Sequence, residues 1–338
     1  MNPAQRATGT PRPPRQPRRA LHGVLLLDKP LGWTSNDALQ KAKGMLRAEK
    51  GGHTGTLDPL ATGLLPLCFG AATKFSQVSL DADKAYRATL HLGRTTTTGD
   101  REGEVLAERP IDGLTLPQVL AAVQRFLGAI EQTPPMHSAL KHQGKALYEY
   151  ARDGITVERP PRAVQIHAID IVEWQAERLV IDVRCSKGTY IRTLAEDIGT
   201  ALGCGAHLSA LCRTASGPLQ LAQALTLEAL QAMDEAEREA RLLPPDALLG
   251  GWPAVCLPEG EAGRFLSGMR RRVALADAPA VRVYGPPLNP SNTQAGAPAK
   301  PPRTGSIEHA VFLGSAHVSG GELIADRLLS PTEVQALA

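Results

Sequence analysis

The stretch KGGHTGTLDPLATGLLPL, residues Lys50 to Leu67, sets two kinds of chain side by side. A loop of glycine, threonine and one histidine gives way abruptly to an apolar run, and Asp58 stands at the junction. Pro59 disfavours the helical region for the residue before it, so the loop leaves Asp58 extended. A glycine loop before an apolar segment first suggests a phosphate cradle. The GxxxxGKS/T pattern is absent, and so is GxGxxG, which excludes a P-loop and gives no dinucleotide fingerprint. Two readings of the carboxylate stay open on these residues alone: a cap on an Asp-Pro turn, or a reacting group.

Outward from this stretch, strand and helix patterns interleave. GVLLLDKP reads as a short buried strand ending at Asp28-Lys29-Pro30. TSNDALQKAKGMLRAE reads as a helix capped by Ser35 or Asn36, with Ala38, Leu39, Ala42, Met45 and Leu46 as its apolar stripe. DKAYRATLHLG alternates like a strand, placing Tyr86, Ala88, Leu90 and Leu92 on one face. TLPQVLAAVQRFLG has the capping-box pair Thr115 and Gln118 and ends at Gly128. GKALYEYARDG is a short helix stopped at Gly154, RAVQIHAIDIVEW and RLVIDVRCSKG are alternating strands, and TYIRTLAEDIGTALGCG is a helix. Hairpin-like neighbours occur among them, so the fold class is α/β in the α+β sense, with a mixed sheet. Composition changes at LLPPDALLGGWP, marking a boundary near residue 250. Beyond it, HAVFLGSAHVSGGELIADRLLS reads as a hairpin turning at Gly320-Gly321, and residues 286–302 form a low-complexity Pro-rich loop.

The bulk numbers narrow the class. A chain of 338 residues suggests roughly two domains. Its hydrophobic share of 43% and charged share of 21% are those of a soluble globular protein. The net charge of +3 is concentrated in residues 1–20, which hold five arginines, five prolines and no acid. That leader is expected to be disordered, and any nucleic-acid affinity of the body must come from local basic patches. Five cysteines without a CxxC pair argue against a disulfide framework and a zinc site, and Cys204, His207 and Cys212 match no common zinc spacing. No apolar run reaches the ~18 residues of a membrane span, and GVLLLDKP is too short for a signal-peptide core. A cytoplasmic protein is expected.

Five blocks together carry a resemblance. GVLLLDKPLGWTSNDALQK, GHTGTLDPLATGLLPLCFGAATKFSQ, DKAYRATLHLG, PPMHSALKHQGKALYEYARDG and CSKGTYIRTLAEDIG resemble, in this order, the TruB family of tRNA pseudouridine synthases. The likeness is strong over about residues 22–215 and weak beyond. It implies isomerisation of uridine to pseudouridine at position 55 in the T loop of tRNA, without metal or cofactor, since nothing is oxidised and no phosphoryl group moves. On the matching positions, Asp58 is the implied catalytic aspartate and Arg192 the arginine that keeps it ionised. Tyr86 is implied to stack on the target uracil, and its hydroxyl is a candidate base for the C5 proton. Tyr190 and Leu211 would wall the pocket, and His53 would fill the gap left by the flipped base. Lys74, Lys141, Lys145 and the Lys41/Lys43/Arg47 face are candidate phosphate contacts.

The resemblance further implies a pseudouridine synthase domain over about 21–250 and a small PUA-like RNA-binding β domain over 251–338. The partner is the tRNA T arm; no protein partner or membrane is implied, and a monomer is expected. The sequence departs from the family pattern at Thr97, where an acid is common, and at His137, where an aromatic would be unsurprising. Two other classes remain to be separated. A non-catalytic tRNA-folding module would tolerate Asp58→Asn, and a glycoside hydrolase would need a second carboxylate, with Asp100 the nearest in sequence.

Overall fold

The computed structural model describes residues 17–287 and 310–338. Most of the Arg/Pro leader and of the Pro-rich 286–302 segment lies outside the described residues. The chain begins with β1 (Gly23–Lys29) and α1 (Ser35–Met45), then β2 (Gly51–His53), β3 (Ala61–Phe69), α2 (Ser76–Asp81) and β4 (Lys84–Leu92). A small ribbon of β5 (Arg94–Thr96) and β6 (Val105–Glu108) follows, with α3 (Leu116–Gln124) and β7 (Gly128–Gln132). A second ribbon, β8 (Lys141–His142) with β9 (Lys145–Ala146), carries α4 (Leu147–Arg152). The long hairpin β10 (Arg162–Gln175) and β11 (Arg178–Cys185) leads into α5 (Ile191–Ala201), β12 (Ala206–Ser216) and β13 (Leu219–Gln220).

These strands build one nine-stranded sheet in the order β1-β3-β12-β4-β11-β10-β7, with β2 added to β3 and β13 to β12. Every neighbour pair is antiparallel except β3 with β12, which run parallel. The sheet is therefore mixed, as the interleaved pattern implies. Along one edge of β3, β12 pairs only with Ala61–Gly63 and β2 only with Leu67–Phe69. The intervening Leu64 and Pro66 carbonyls accept instead from the Arg213 Nε and the Thr54 amide.

The apolar patterns bury as read. Ala88, Leu90 and Leu92 of β4 meet Ile191, Leu194, Ala195 and Ile198 of α5 in one core cluster. Ala38, Leu39 and Ala42 of α1 pack with β1 and β3 in another. Helix boundaries differ in detail. Thr34, rather than Ser35 or Asn36, caps α1, its side chain accepting from the Asp37 amide at 3.1 Å. Helix α3 has the expected capping box but ends at Gln124, because Gly128 with φ +100° already starts β7.

Short helices α6 (Leu227–Ala232) and α7 (Glu235–Ala240) precede a second, five-stranded sheet. Its members are β14 (Ala254–Cys256), β15 (Arg271–Arg272), β16 (Ala278–Gly285), β17 (Val311–Ser319) and β18 (Glu322–Leu328), with α8 (Glu259–Leu266) and a closing α9 (Pro331–Leu337). The hairpin of β17 and β18 turns at Gly320-Gly321, both with positive φ. The two sheets share a hydrophobic core: Val24, Leu26, Leu64 and Phe75 pack in one cluster with Val283, Phe312 and Leu313. Phe75 and Phe312 rings lie 5.1 Å apart.

Residues 17–20, assigned by sequence to the solvated leader, pack against the body. The Arg19 amide donates to the Arg47 carbonyl at 2.7 Å, and the Arg19 guanidinium pairs with Glu235 and Glu239 of α7. Arg47, just beyond α1, also pairs with Glu235, at 2.6 Å, so it is not a free member of the proposed basic group.

Candidate active site

Asp58 is fixed by backbone tethers on both sides. Ser35, buried at the first turn of α1, accepts from the Leu57 amide at 2.8 Å and donates to the Leu57 carbonyl at 3.0 Å. The Gly32 amide reaches the Pro59 carbonyl at 2.8 Å, and the Ala61 amide closes on the Asp58 carbonyl at 3.0 Å. Lys29, fully buried, donates to the carbonyls of Pro30 (3.0 Å) and Trp33 (2.6 Å), and so holds the turn that supplies Gly32. Burial pushes the Lys29 ammonium down to about 8, with Asp58 pulling it back up. The Asp-Pro turn is thus real, yet its carboxylate caps nothing. It points to Arg192, Nη2 to Oδ2 at 3.1 Å, with 45% of its side chain still exposed.

Arg192, the second residue of α5, is buried and fully engaged. Besides Asp58 it faces Asp100 (Nη1 to Oδ2, 3.7 Å) and donates to the carbonyls of His137 (2.6 Å) and Thr98 (3.3 Å). A guanidinium that meets two carboxylates and two carbonyls has little freedom to turn, so the Asp58 contact has a set direction. Asp100 in turn is buried and accepts from the Thr98 hydroxyl at 2.6 Å and the Glu102 amide at 3.0 Å. It is a holder for Arg192 rather than a free acid. That argues against the paired-carboxylate geometry of a hydrolase, in which both groups face the bond to be cut. Thr97, where the family pattern favours an acid, accepts from the Glu104 amide at 3.1 Å and braces this loop.

Two cavities meet at Asp58. The first, about 430 Å³, is walled by Tyr86 of β4, Leu211 of β12, Tyr190 and Ile191 at the head of α5, and Arg213. The second, about 580 Å³, holds His53, Asn36, His137, Tyr148 and Asp100. Thr56, Leu57, Asp58, Ser138, Ala139 and Arg192 line both. Distant sequence positions thus converge because the beginning of β4 pairs with the later part of β12 and with the end of β11, which leads into α5.

The expected wall residues are placed as follows. Leu211 pairs across β12 with Ala88 of β4 and Ala61 of β3, and lies beside Tyr86. Tyr190 is clamped at its peptide by Gln132, which donates to its carbonyl at 3.2 Å and accepts from its amide at 2.9 Å. Burial pushes both the Tyr86 and the Tyr190 phenols upward. His53 opens on the second cavity; its Nδ1 is buried without a hydrogen-bond partner, and burial followed by Arg213 lowers its pKa. Lys74 lines neither cavity. Its ammonium donates to Glu333 at 2.6 Å and to the Leu328 carbonyl at 3.0 Å, tying the segment after β3 to the second sheet. Of the other basic candidates, Lys145 pairs with Asp153 at 2.6 Å, while Lys141 is exposed.

Three residues around Asp58 are not legible as such in the sequence: Ser35 reads as a cap, Asp100 as a rival's second carboxylate, and Arg213 carries no signal of its own. Strand β12 itself was not recognised, because bulges between Leu208 and Ala210 and between Arg213 and Ala215 break its alternation. Among the described residues no cluster of three or more His, Cys, Asp or Glu side chains is placed to hold a metal. No helix among them is long and apolar enough to cross a membrane.

A sheet that delivers one arginine-held aspartate to the junction of two cavities defines a class, and comparison with known proteins gives that class its family. Residues 43–191 match the model of the TruB family pseudouridylate synthase N-terminal domain, and residues 192–250 that of the tRNA pseudouridylate synthase B C-terminal domain. The tRNA pseudouridine synthase B of Verminephrobacter eiseniae is 56% identical over 326 residues, covering 95% of this chain and 92% of the relative. That of Ralstonia pickettii is 60% identical, covering 81% and 88%. In fold, the protein is similar to a chain in the crystal structure of a Cbf5–Nop10–Gar1 complex, with a TM-score of 0.67 at 23% identity over 94% of this chain and 87% of that one. The chain belongs to the TruB family of pseudouridylate synthases.

Proposed function

We infer that the protein isomerises uridine to pseudouridine at position 55 in the T loop of tRNA, with Asp58 as nucleophile. The carrying observation is the Asp58–Arg192 pair at 3.1 Å, where a buried cation holds a half-exposed carboxylate at the junction of two cavities. A carboxylate so placed has a set direction and keeps open lone pairs toward an incoming nucleoside.

The cavities divide the work. The extruded uridine enters the first, its base between Tyr86 and Leu211, with Tyr190 closing the wall. His53, at the second cavity, takes the place of the departed base, offsetting the few kcal/mol that unstacking costs. Asp58 supplies the nucleophile for breaking the C1′–N1 bond. The uracil, confined by the wall, turns and rejoins through C5, and the C5 proton is then lost to the Tyr86 oxygen. The reaction is redox-neutral and transfers no phosphoryl group, so these side chains are a sufficient set of reagents. The T arm is recognised largely through backbone and loop shape, with the five-stranded C-terminal sheet as a PUA-like RNA-binding unit. The protein acts as a cytoplasmic monomer.

The test is to map pseudouridine in T-arm RNA after incubation with metal-free wild-type protein and with Asp58→Asn. Wild type should yield pseudouridine at a single uridine, and Asp58→Asn should bind the RNA but yield none. Product from Asp58→Asn removes the nucleophile assignment, and release of free uracil would indicate a hydrolase.

A further inference from the structure

Arg213 is the largest fully buried side chain among the described residues, at 1% exposure. Burying a guanidinium is costly unless its donors are satisfied and a counter-charge is near. Its Nε donates to the Leu64 carbonyl at 2.7 Å, and its Nη2 to the Gly55 carbonyl at 3.3 Å. These carbonyls belong to the two flanks of the loop that carries Asp58, and Leu64 is one of the β3 residues left unpaired between β12 and β2. The bulge after Arg213 aims the strand at this gap. Directly across the ladder, Arg213 is the register partner of Tyr86, and both line the first cavity. Burial lowers the pKa of the Arg213 guanidinium, and the Tyr86 phenol opposite it pulls it back up.

We propose that Arg213 is a positioning residue of the isomerisation: it holds the Tyr86 oxygen in place to take the C5 proton and stabilises that oxygen as an anion. This rests on the function proposed above. It divides the two buried arginines between two oxygens, Arg192 for Asp58 and Arg213 for Tyr86. Burial pushes the Tyr86 phenol up, and Cys185 of β11 and Asp58 push it the same way. Arg213, from β12, is the cation that pulls it down. In the step itself the phenol first gives its proton to solvent, and the C5–H bond then breaks with its proton passing to the phenolate oxygen. The electron pair restores the C5–C6 double bond as N1 takes a proton, and Tyr86 ends as the phenol it began.

The experiment is single-turnover conversion of T-arm RNA carrying protium or deuterium at C5 of the target uridine. Arg213→Met should slow conversion about 100-fold, the usual scale of a general-base contribution, and enlarge the C5 isotope effect relative to wild type. RNA affinity should stay within about threefold of wild type, as for a group that acts only in the reaction. Arg213→Lys, which restores the charge without the fork, should recover part of the rate. Adding Arg213→Met to Tyr86→Phe should cost less than about threefold more, because the two residues act as a unit. Losses that multiply, or an isotope effect that does not grow, would overturn the proposal and leave Arg213 as a loop brace. Should neither Arg213 variant fold, Tyr86→Phe alone decides: conversion at the wild-type rate sinks the idea. Failure of the parent reading is distinct, since wild-type protein would then make no pseudouridine at all.

Discussion

Asp100→Asn isolates the contribution of a buried carboxylate that faces Arg192 from the second cavity. The side chain is buried, keeps its volume on substitution, and retains an oxygen for the Thr98 hydroxyl and the Glu102 amide. What is lost is one negative charge at 3.7 Å from Arg192. At an effective dielectric of 20 such a pair is worth about 4 kcal/mol, before desolvation takes back a share. With about half surviving, Arg192 loses roughly 2 kcal/mol of orientation toward Asp58, which corresponds to about 30-fold in the chemical step. The assay is release of the C5 hydrogen from labelled tRNA under single-turnover conditions, with RNA affinity measured alongside. The rate constant should fall and the dissociation constant should hold. A variant within twofold of wild type would refute the view that Asp100 orients Arg192. A loss carried wholly by affinity would move Asp100 to the RNA interface.

Gly63→Ala tests the crossing of β3 and β12: Gly63 has φ +97°, and a Cβ there would lie 2.4 Å from the Arg213 carbonyl oxygen. Strain of that kind costs about 1–3 kcal/mol, so the unfolding midpoint should drop by roughly 5 °C, and an unchanged midpoint would show that the strands can separate. Lys84 donates to the carbonyls of Ser79, Leu80 and Ala82, and burial lowers its pKa to about 8 from 10.5. The folded protein therefore binds fewer protons than the unfolded chain between those values, and this group makes stability rise with pH across that window. In urea unfolding at pH 8, 9 and 10, Lys84→Met should lower stability overall and remove about 1 kcal/mol per pH unit from the slope; identical slopes would count against the shifted lysine. Lys74→Gln should reduce thermal stability through loss of the Glu333 contact while leaving the salt dependence of tRNA binding intact. A salt slope smaller by about one would return Lys74 to the phosphate contacts.

Much of the fold was legible because each signal is local. The alternation of β4 and of the β10–β11 hairpin, the capping box of α3 and the glycine turn of the C-terminal hairpin all depend on residues within one turn or one strand. Strand β12 was not legible for the same reason: its two bulges shift the alternation, and only the neighbouring β3 and β4 show it to be a strand. At the site, Asp58 and Arg192 could be named because their surrounding blocks match a family pattern. Their holders could not. Asp100 reads as one more loop acid until Arg192 is placed beside it. Lys74 reads as a free cation until Glu333, far along the chain, is brought to it.

The sequence by itself determined most of the strands and helices, since these follow from residue type, spacing and local backbone preference. Tertiary structure alone decided how charge is matched. Arg192 is held between two carboxylates from separate loops, Arg47 and Lys74 are taken up by distant acids, and Arg213 is buried against a phenol and two carbonyls. The physical reason is range. Propensity and periodicity act over a few residues, whereas pairing of buried charges depends on which surfaces the sheet brings within a few ångströms, and that is fixed only when the strands have found their order.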